Sequence, residues 1–207
     1  MWINDVAQEY SLQLGTGTYD GIEGVAVFNQ AQTERYILEK RWQSGDKVFL
    51  AFMMNPSKAS HSASDPTVDQ MISLAKKNGC DVLHVVNVSS IIDGNSNNLS
   101  IKHFSLSEMN WEFIKKAVEN ASIVFISWGI KGQQGINTWL GSSAEASHVF
   151  IKAQSKLHAY EVLTAANEKI GYVPHPRPRG KVNKYINTHA KKVSKDEYSR
   201  LFREESM

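Results

Sequence analysis

The chain has 207 residues, a hydrophobic fraction of 42%, a charged fraction of 21% and a formal net charge of +2. These values are typical of an ordinary globular protein, long enough to bury a hydrophobic core. No apolar run approaches the roughly 18 residues that a membrane-spanning helix needs, and the first residues lack the pattern of a secretory signal. The single cysteine, Cys80, excludes an intrachain disulfide and a cysteine-based zinc cluster. We therefore expect a cytoplasmic protein with one domain over residues 1–207.

The charge is distributed unevenly along the chain. Residues 169–203 contain ten basic and two acidic side chains, a formal charge of +8, so the rest of the chain sums to −6. A basic segment on an acidic body can form a face that binds a polyanion such as nucleic acid. A C-terminal helix with solvated lysines explains the same composition equally well.

The first half of the chain predicts a hairpin, a buried strand and a helix. Two strand-like segments, 24–28 and 35–42, flank a turn and predict an N-terminal β-hairpin, whereas residues 1–22 show no clear pattern. The apolar run 48–54 is typical of a strand covered on both faces. Asp65-Pro66-Thr67 predicts the start of a helix, with Asp65 as N-cap, and apolar residues at helical spacing carry that helix toward Gly79.

The second half alternates between strands and helices. Strands are predicted at 81–88, 122–128 and 157–163, and helices at 105–120, at 134–153 and from 194. This alternation predicts an α/β fold with three layers, α/β/α, around a central, mostly parallel four-stranded sheet, to which the N-terminal β-hairpin is added.

Polar signatures follow the four predicted parallel strands. They are Asn55-Pro56-Ser57, Asn87, Trp128-Gly129 and, after a short gap, His175-Pro176-Arg177-Pro178. In open α/β sheets, ligands bind where loops leave the carboxyl ends of the strands. The sequence therefore predicts one site that reads a small, polar, planar ligand.

Each signature has a functional and a structural interpretation. Asn55, presented by the Pro56 turn, can orient a water molecule or satisfy its own loop. The carboxamide of Asn87 matches the acceptor–donor edge of a nucleobase, or caps its loop. Trp128 can stack on a planar ligand, although a core tryptophan is the more frequent outcome.

The Pro-rich loop suits a positioned donor and phosphate contacts. His175 lies between two prolines, and Arg177 and Arg179 follow it. A structural turn is the alternative. Asp65 first of all caps its helix, and it can also reach the site. The histidines show no metal-ligand spacing, and the glycine-rich signatures of phosphate-loop enzymes, Rossmann oxidoreductases and serine hydrolases are absent from the sequence.

The order of the signatures resembles that of uracil-DNA glycosylases. Residues 48–57 resemble the first motif of that family in its Asn-Pro form, which occurs in mismatch-specific glycosylases. Residues 83–88 resemble the strand whose Asn reads the uracil edge, and residues 123–129 the strand that ends in Trp-Gly. The loop from His175 is similar to the His-Pro-Ser-Pro loop, whose His stabilises the departing base.

The chain resembles more closely a bacterial and phage family known as domain of unknown function 1643, over about residues 35–175. The matching residues are Arg35-Tyr36-x-Leu38 with Trp42, Met54-Asn55-Pro56-Ser57, Asp65-Pro66-Thr67, Val86-Asn87, Trp128-Gly129 and His175-Pro176. This resemblance leaves the activity open.

Together the resemblances imply a glycosylase-like hydrolase that recognises, and excises, a uracil-like or modified base from DNA or a nucleotide, with no metal and no other cofactor. They imply a role for each candidate residue: Asn55 and His175 as catalytic residues, Asn87, Trp128, Pro56 and Ser57 around the base, Arg177, Arg179 and Lys181 on phosphates, and Asp65 as a further candidate.

The chain departs from the glycosylase pattern at three positions. Asn55 replaces the Asp that activates water, Ser57 replaces Tyr or Gly, and Arg177 replaces Ser. Two alternatives therefore stay open: a non-catalytic protein that binds nucleic acid or nucleotide, for example in phage–host conflict, and an enzyme that acts on free nucleotides. In each case the expected partner is nucleic acid, DNA foremost, or a nucleotide, and not a membrane. The sequence does not indicate an oligomeric state.

Overall fold

The structure, a computed structural model, describes residues 1–164, 166–177, 183–185 and 189–202. The strands in these ranges are β1 (Gln13–Tyr19), β2 (Ile22–Phe28), β3 (Arg35–Arg41), β4 (Val48–Met53), β5 (Val82–Asn87), β6 (Ile123–Ser127), β7 (Leu157–Ala159), β8 (Val162–Thr164), β9 (Asn183–Tyr185) and β10 (Lys191–Lys192). The helices are α1 (Trp2–Glu9), α2 (Pro66–Lys77), α3 (Glu108–Asn120), α4 (Gly129–Ser142), α5 (Ala144–Ala153) and α6 (Lys195–Phe202). None of these helices is long and apolar enough to cross a membrane.

Eight strands form one mixed sheet in the order β1-β2-β3-β5-β4-β6-β7-β10. The central strands β5, β4, β6 and β7 pair in parallel, whereas β1, β2 and β3 form an antiparallel meander that joins β5 through β3. The predicted sheet of four strands is therefore too narrow, since the observed sheet is mixed and has eight strands. The predicted hairpin is part of the sheet, because β3 is a central strand. The sequence of β3 does not indicate a central position, since it contains the charged residues Arg35, Glu39 and Lys40, which are buried.

The sheet separates two clusters of buried side chains. Val48, Leu50 and Phe52 of β4 face the cluster that contains residues of α1, α3, α4, α5 and α6. The alternate residues of β4, from Phe49 to Met53, face the cluster formed with α2, which we call the α2 face. Helices on both faces confirm an α/β fold. The finer likeness to a uracil-DNA glycosylase fold stays a prediction.

Helix α2 confirms the helix start predicted at Asp65. The Asp65 Oδ1 atom accepts hydrogen bonds from the backbone N–H groups of Thr67 (2.8 Å) and Val68 (3.0 Å), and Pro66 is the first helical residue. This cap satisfies two of the N–H groups that a helix leaves unpaired at its start.

Three segments differ from the sequence prediction. Residues 1–22 form α1 and β1, because Ile3, Val6 and Ala7 bury one face of a helix too short to show a clear period. The helix predicted at 134–153 is two helices, since Ser143 adopts an extended conformation and caps α5. The strand predicted at 157–163 is divided between β7 and β8, which belong to different sheets.

Candidate functional site

Five side chains lie side by side on the α2 face, at the carboxyl ends of the parallel strands. Met53 is the register partner of Asn87 in β5 and of Ser127 in β6, and register partners point to the same face of a sheet. Tyr160 directly follows β7 and packs into the cluster on this face. Arg35 lies beyond a β-bulge between β2 and β3, and its side chain donates to the carbonyl of Ala59, a member of the same cluster; its backbone N–H donates to the carbonyl of Ser90, three residues beyond Asn87 (2.8 Å). We call Arg35, Asn87, Met53, Ser127 and Tyr160 the carboxyl-edge row.

Three polar members of the row have buried atoms without a hydrogen-bond partner among the described residues. These atoms are Asn87 Nδ2, Ser127 Oγ and, in Arg35, both Nε and Nη2. The exposed fractions of Asn87, Ser127 and Arg35 are 1%, 0% and 1%. Each unsatisfied buried group costs about 1–3 kcal/mol, so neighbouring groups of this kind are unusual. All four atoms can donate a hydrogen bond, which suits a ligand with several acceptor atoms.

Asn55 connects two loops through hydrogen bonds. Its Nδ2 atom donates to the carbonyls of Pro56 (3.0 Å) and Asp93 (2.8 Å), and the Asp93 N–H donates to the Pro56 carbonyl (3.1 Å). The loop after β4 is thus tied to the loop after β5, and the buried Pro56 lies at this junction. The hydrogens of the Asn55 carboxamide are occupied, so the atom it offers to a ligand or a water molecule is Oδ1.

Ser57 and Asp65 form a hydrogen-bonded pair at the start of α2. Ser57 Oγ donates to Asp65 Oδ2, while Asp65 Oδ1 caps the helix. Burial opposes ionisation of this carboxyl. The hydrogen bonds from Ser57, Val68 and Thr67 and the positive charge of Arg35 outweigh burial and lower the pKa of Asp65. Asp65 is therefore an ionised carboxylate whose two oxygens are both engaged by the protein.

Trp128 belongs to the core and not to the row. The side chain is fully buried, and its ring packs edge-on against Phe52, with the ring centroids 5.0 Å apart. Its Nε1 atom donates to Gln133 Oε1 (3.0 Å). Since Phe52 and Trp128 lie in the cluster opposite the α2 face, the structure does not bring Trp128 together with Asn87. Gly129 has φ +67, a left-handed conformation that favours glycine and turns the chain from β6 into α4.

Two glutamines fix the loop that carries His175. Gln70 Nε2 on α2 donates to the Pro176 carbonyl (2.8 Å) and to Tyr160 Oη (3.0 Å). From the other face, Gln133 Oε1 on α4 accepts the Val173 N–H (3.2 Å). Residues 173–176 therefore cross the carboxyl edge of the sheet and connect to the row through Tyr160. No sequence pattern marks these two glutamines as functional, because Gln on a helix is most often a solvated residue.

The ring orientation of His175 is set within its own loop. His175 Nδ1 lies 3.1 Å from both the N–H and the carbonyl oxygen of Arg177. In the tautomer with the proton on Nε2, Nδ1 accepts the Arg177 N–H, and in the other tautomer Nδ1 donates to the Arg177 carbonyl. His175 and Arg177 are both partly buried.

A cleft with a basic rim adjoins the row. Tyr160 and Pro174 line it together with Tyr172 and Ile170, and the basic residues on its rim are Lys169, Lys191, Lys192 and Arg200. Lys191 forms an ion pair with Glu161 (2.7 Å) and Lys169 with Glu197 (4.0 Å), so the charge of the basic segment is partly neutralised. The predicted phosphate ligands Arg179 and Lys181 lie outside the described residues. Within the described ranges, no group of three His, Cys, Asp or Glu residues is placed to hold a metal ion.

Comparison with known proteins places the chain in one family. Together, the fold and the row define an α/β protein with a polar site at the carboxyl edge of a mixed sheet. Residues 35–176 match the model of a family described as protein of unknown function (DUF1643), and the chain belongs to that family. The matched region runs from Arg35 to Pro176 and contains the whole carboxyl-edge row. No curated protein matches the chain, and no solved structure matches it.

Proposed function

We propose that this protein is a glycosylase-like hydrolase that recognises a uracil-like or modified base, in DNA or in a nucleotide, at the carboxyl-edge row. The observation that carries this proposal is the Asn87 carboxamide, which is buried at the end of β5 and whose Nδ2 atom has no hydrogen-bond partner among the described residues. An amide donor at this position suits a carbonyl oxygen on the edge of a pyrimidine. The order of Asn55-Pro56, Asn87 and His175-Pro176, which resembles that of uracil-DNA glycosylases, supports the same assignment.

His175 stabilises the departing base in this proposal. The loop from Val173 to Pro176 is held at the carboxyl edge by Gln133 and Gln70, and Nε2 is a hydrogen-bond donor in the tautomer that accepts the Arg177 N–H at Nδ1. A positioned donor stabilises the negative charge that develops on a leaving base. This role requires the tautomer in which Nδ1 accepts the Arg177 N–H and Nε2 carries the proton.

Asn55 Oδ1 positions the attacking water. We assign this role to Asn55 and not to Asp65, because Ser57 and the helix cap engage both carboxyl oxygens of Asp65. A carboxamide orients water but does not take its proton. Turnover therefore depends mainly on cleavage of the bond between sugar and base, which His175 assists; the water then adds to the sugar carbon, and its proton neutralises the departed base anion. Arg177, followed by Arg179 and Lys181 in the sequence, contacts the phosphates.

The test is release of base from oligonucleotides that carry uracil, mismatches or modified bases, and from the corresponding nucleotides. The proposal expects product with the wild-type protein and a loss of at least tenfold in rate for Asn87→Ala and for His175→Ala. Asn120→Ala, at the exposed end of α3, is the matched control and keeps the wild-type rate. Folded wild-type protein that releases no base from any substrate contradicts the catalytic part of the proposal.

A second candidate function is non-catalytic binding of nucleic acid or nucleotide. The hydrogen bonds of Asn55 to its own loops favour it. The Asn55 Nδ2 atom holds two loop carbonyls, as expected of a structural residue. This candidate predicts binding that weakens steeply with salt and yields no product in the wild-type protein or in Asn55→Asp. Product formation that Asn55→Asp accelerates excludes it.

A further inference from the structure

Arg35 is a buried cation whose hydrogen-bonding capacity is only partly used. Its Nη1 atom donates to the Ala59 carbonyl, whereas Nε and Nη2 have no partner in the part of the chain that the structure describes. These two nitrogens lie on the same edge of the planar guanidinium. They form one fork, which matches two oxygens of a phosphate or a carboxylate. The bond from Nη1 to Ala59 holds the fork in a fixed orientation.

The nearby acid does not neutralise the fork. Asp65 is the carboxylate whose charge acts on Arg35, but its oxygens receive hydrogen bonds from Ser57, Thr67 and Val68. Burial lowers the pKa of Arg35 to about 10, against the opposing effect of Asp65, so the protein environment disfavours the charged form. Burial of a guanidinium with two nitrogens that lack a partner among the described residues costs stability, and a bound anion offsets that cost.

A second buried cation reinforces the positive charge under the same loop. Lys40 Nζ donates to the His61 carbonyl (3.0 Å), two residues beyond Ala59. The loop lies directly on the β1–β2 hairpin, since a Cβ atom at Gly24 would come within 2.0 Å of the His61 carbonyl oxygen. Two cations from β3 thus bind carbonyls of one loop, and these bonds use neither Nε nor Nη2 of Arg35.

We propose that the Arg35 fork binds a phosphate group of the ligand whose base lies against Asn87. This inference rests on the proposed function and specifies its substrate class. Arg35 and Asn87 lie on one face, and the Arg35 N–H donates to the carbonyl of Ser90, three residues beyond Asn87, so their backbones are roughly 10 Å apart, a separation that a single nucleotide bridges. Because Arg35 is buried, the phosphate that reaches it is a terminal monoester, so the ligand is a mononucleotide and not the interior of a strand.

Calorimetric titration at constant ionic strength tests the inference with four probes: inorganic phosphate, uridine, uridine 5′-monophosphate and an oligonucleotide without terminal phosphates. The wild-type protein is expected to bind the monophosphate at least tenfold more tightly than uridine or the oligonucleotide. Arg35→Lys, which keeps the charge and loses the fork, abolishes this preference. Arg41→Lys, the same change at the other end of β3, retains it.

The outcomes distinguish failure of phosphate binding at Arg35 from failure of base recognition at Asn87. Equal affinity for uridine and its monophosphate contradicts phosphate binding by the Arg35 fork. Phosphate binding that is unchanged in Arg35→Lys contradicts it as well. Neither result contradicts base recognition at Asn87. Phosphate binding that depends on Arg35, in a protein that binds no nucleoside or base, contradicts base recognition and supports the fork. If Arg35→Lys does not fold, the NMR resonance of the Arg35 Nε–H group in the wild-type protein tests whether the fork binds phosphate. A shift on addition of phosphate supports the fork, and an unchanged resonance overturns it.

Discussion

Asn87 and Ser127 face the same side of the sheet, one on either side of Met53. Two inter-strand spacings separate their backbones, about 10 Å, and the Met53 side chain provides an apolar surface between them. Two buried polar groups that flank an apolar floor suit a planar ring with polar edges. This relationship is the geometric basis for the proposed base site.

Trp128→Phe is expected to destabilise the protein by about 1–3 kcal/mol, because it removes the buried hydrogen bond to Gln133 and leaves a small cavity. Urea unfolding measures this change. Trp42→Phe, a partly buried tryptophan packed on the other face, is the control for the loss of an indole. Loss of ligand binding in a Trp128→Phe protein of wild-type stability would instead show that Trp128 stacks on the ligand.

Asp65→Ala is expected to cost about 1–2 kcal/mol at pH 7 through loss of the helix cap, and Asp65→Asn to recover most of that loss. The pKa of Asp65 is lowered in the folded protein. Its contribution is therefore complete above the pKa of the unfolded carboxyl, about 3.9, and is lost as the pH falls through the folded value. Urea unfolding between pH 7 and pH 3 should show the difference between wild type and Asp65→Ala shrinking below about pH 4. A difference that grows toward low pH contradicts the assignment.

Gln70→Leu should release the loop that carries His175. It removes the hydrogen bonds to Pro176 and Tyr160, so the amide of Val173 is expected to exchange with solvent at least tenfold faster, with a fall in stability of only about 1 kcal/mol. Hydrogen exchange measured by NMR gives the rate. The control is Gln134→Leu at an exposed position of α4. An unchanged exchange rate would mean that Gln133 alone holds the loop.

Arg35→Met should change the free energy of unfolding by no more than about 1 kcal/mol in either direction, while it abolishes phosphate binding. Removal of the buried charge is stabilising, and the loss of the hydrogen bond to Ala59 opposes it. Urea unfolding and phosphate titration on the same preparation measure both effects. A decrease of several kcal/mol in the free energy of unfolding would mean that Arg35 stabilises the fold and does not bind a ligand.

The sequence predicted the parts of this protein that depend on local patterns. The strand–helix alternation, the Asp65 cap of α2 and the position of Asn87 at a strand end follow from hydrophobic periodicity and capping chemistry. The width of the sheet could not be predicted, because β3 is central only through its pairing with β5. Its sequence, with Arg35, Glu39 and Lys40 at buried positions, is that of an exposed strand.

Part of the site also depends on tertiary contacts that no local pattern reveals. Trp128 was predicted to line the site because it follows a strand end. Side chains alternate between the faces along β6, so Trp128 lies on the opposite face from Ser127. Arg35 was recognised only as a residue shared with a family. Its unpartnered fork becomes visible once the loop containing Ala59 is placed over it.

The most direct test of the central claim, that the carboxyl-edge row binds a base, is the side-chain NMR signal of the Asn87 carboxamide. The measurement is a titration of ¹⁵N-labelled protein with a panel of natural and modified nucleobases, nucleosides and nucleotides. We predict that at least one ligand shifts the Nδ2–H signals of Asn87, which have no acceptor in the described protein, and leaves those of Asn120 in place. Folded protein in which no ligand of the panel shifts the Asn87 signals would contradict the account.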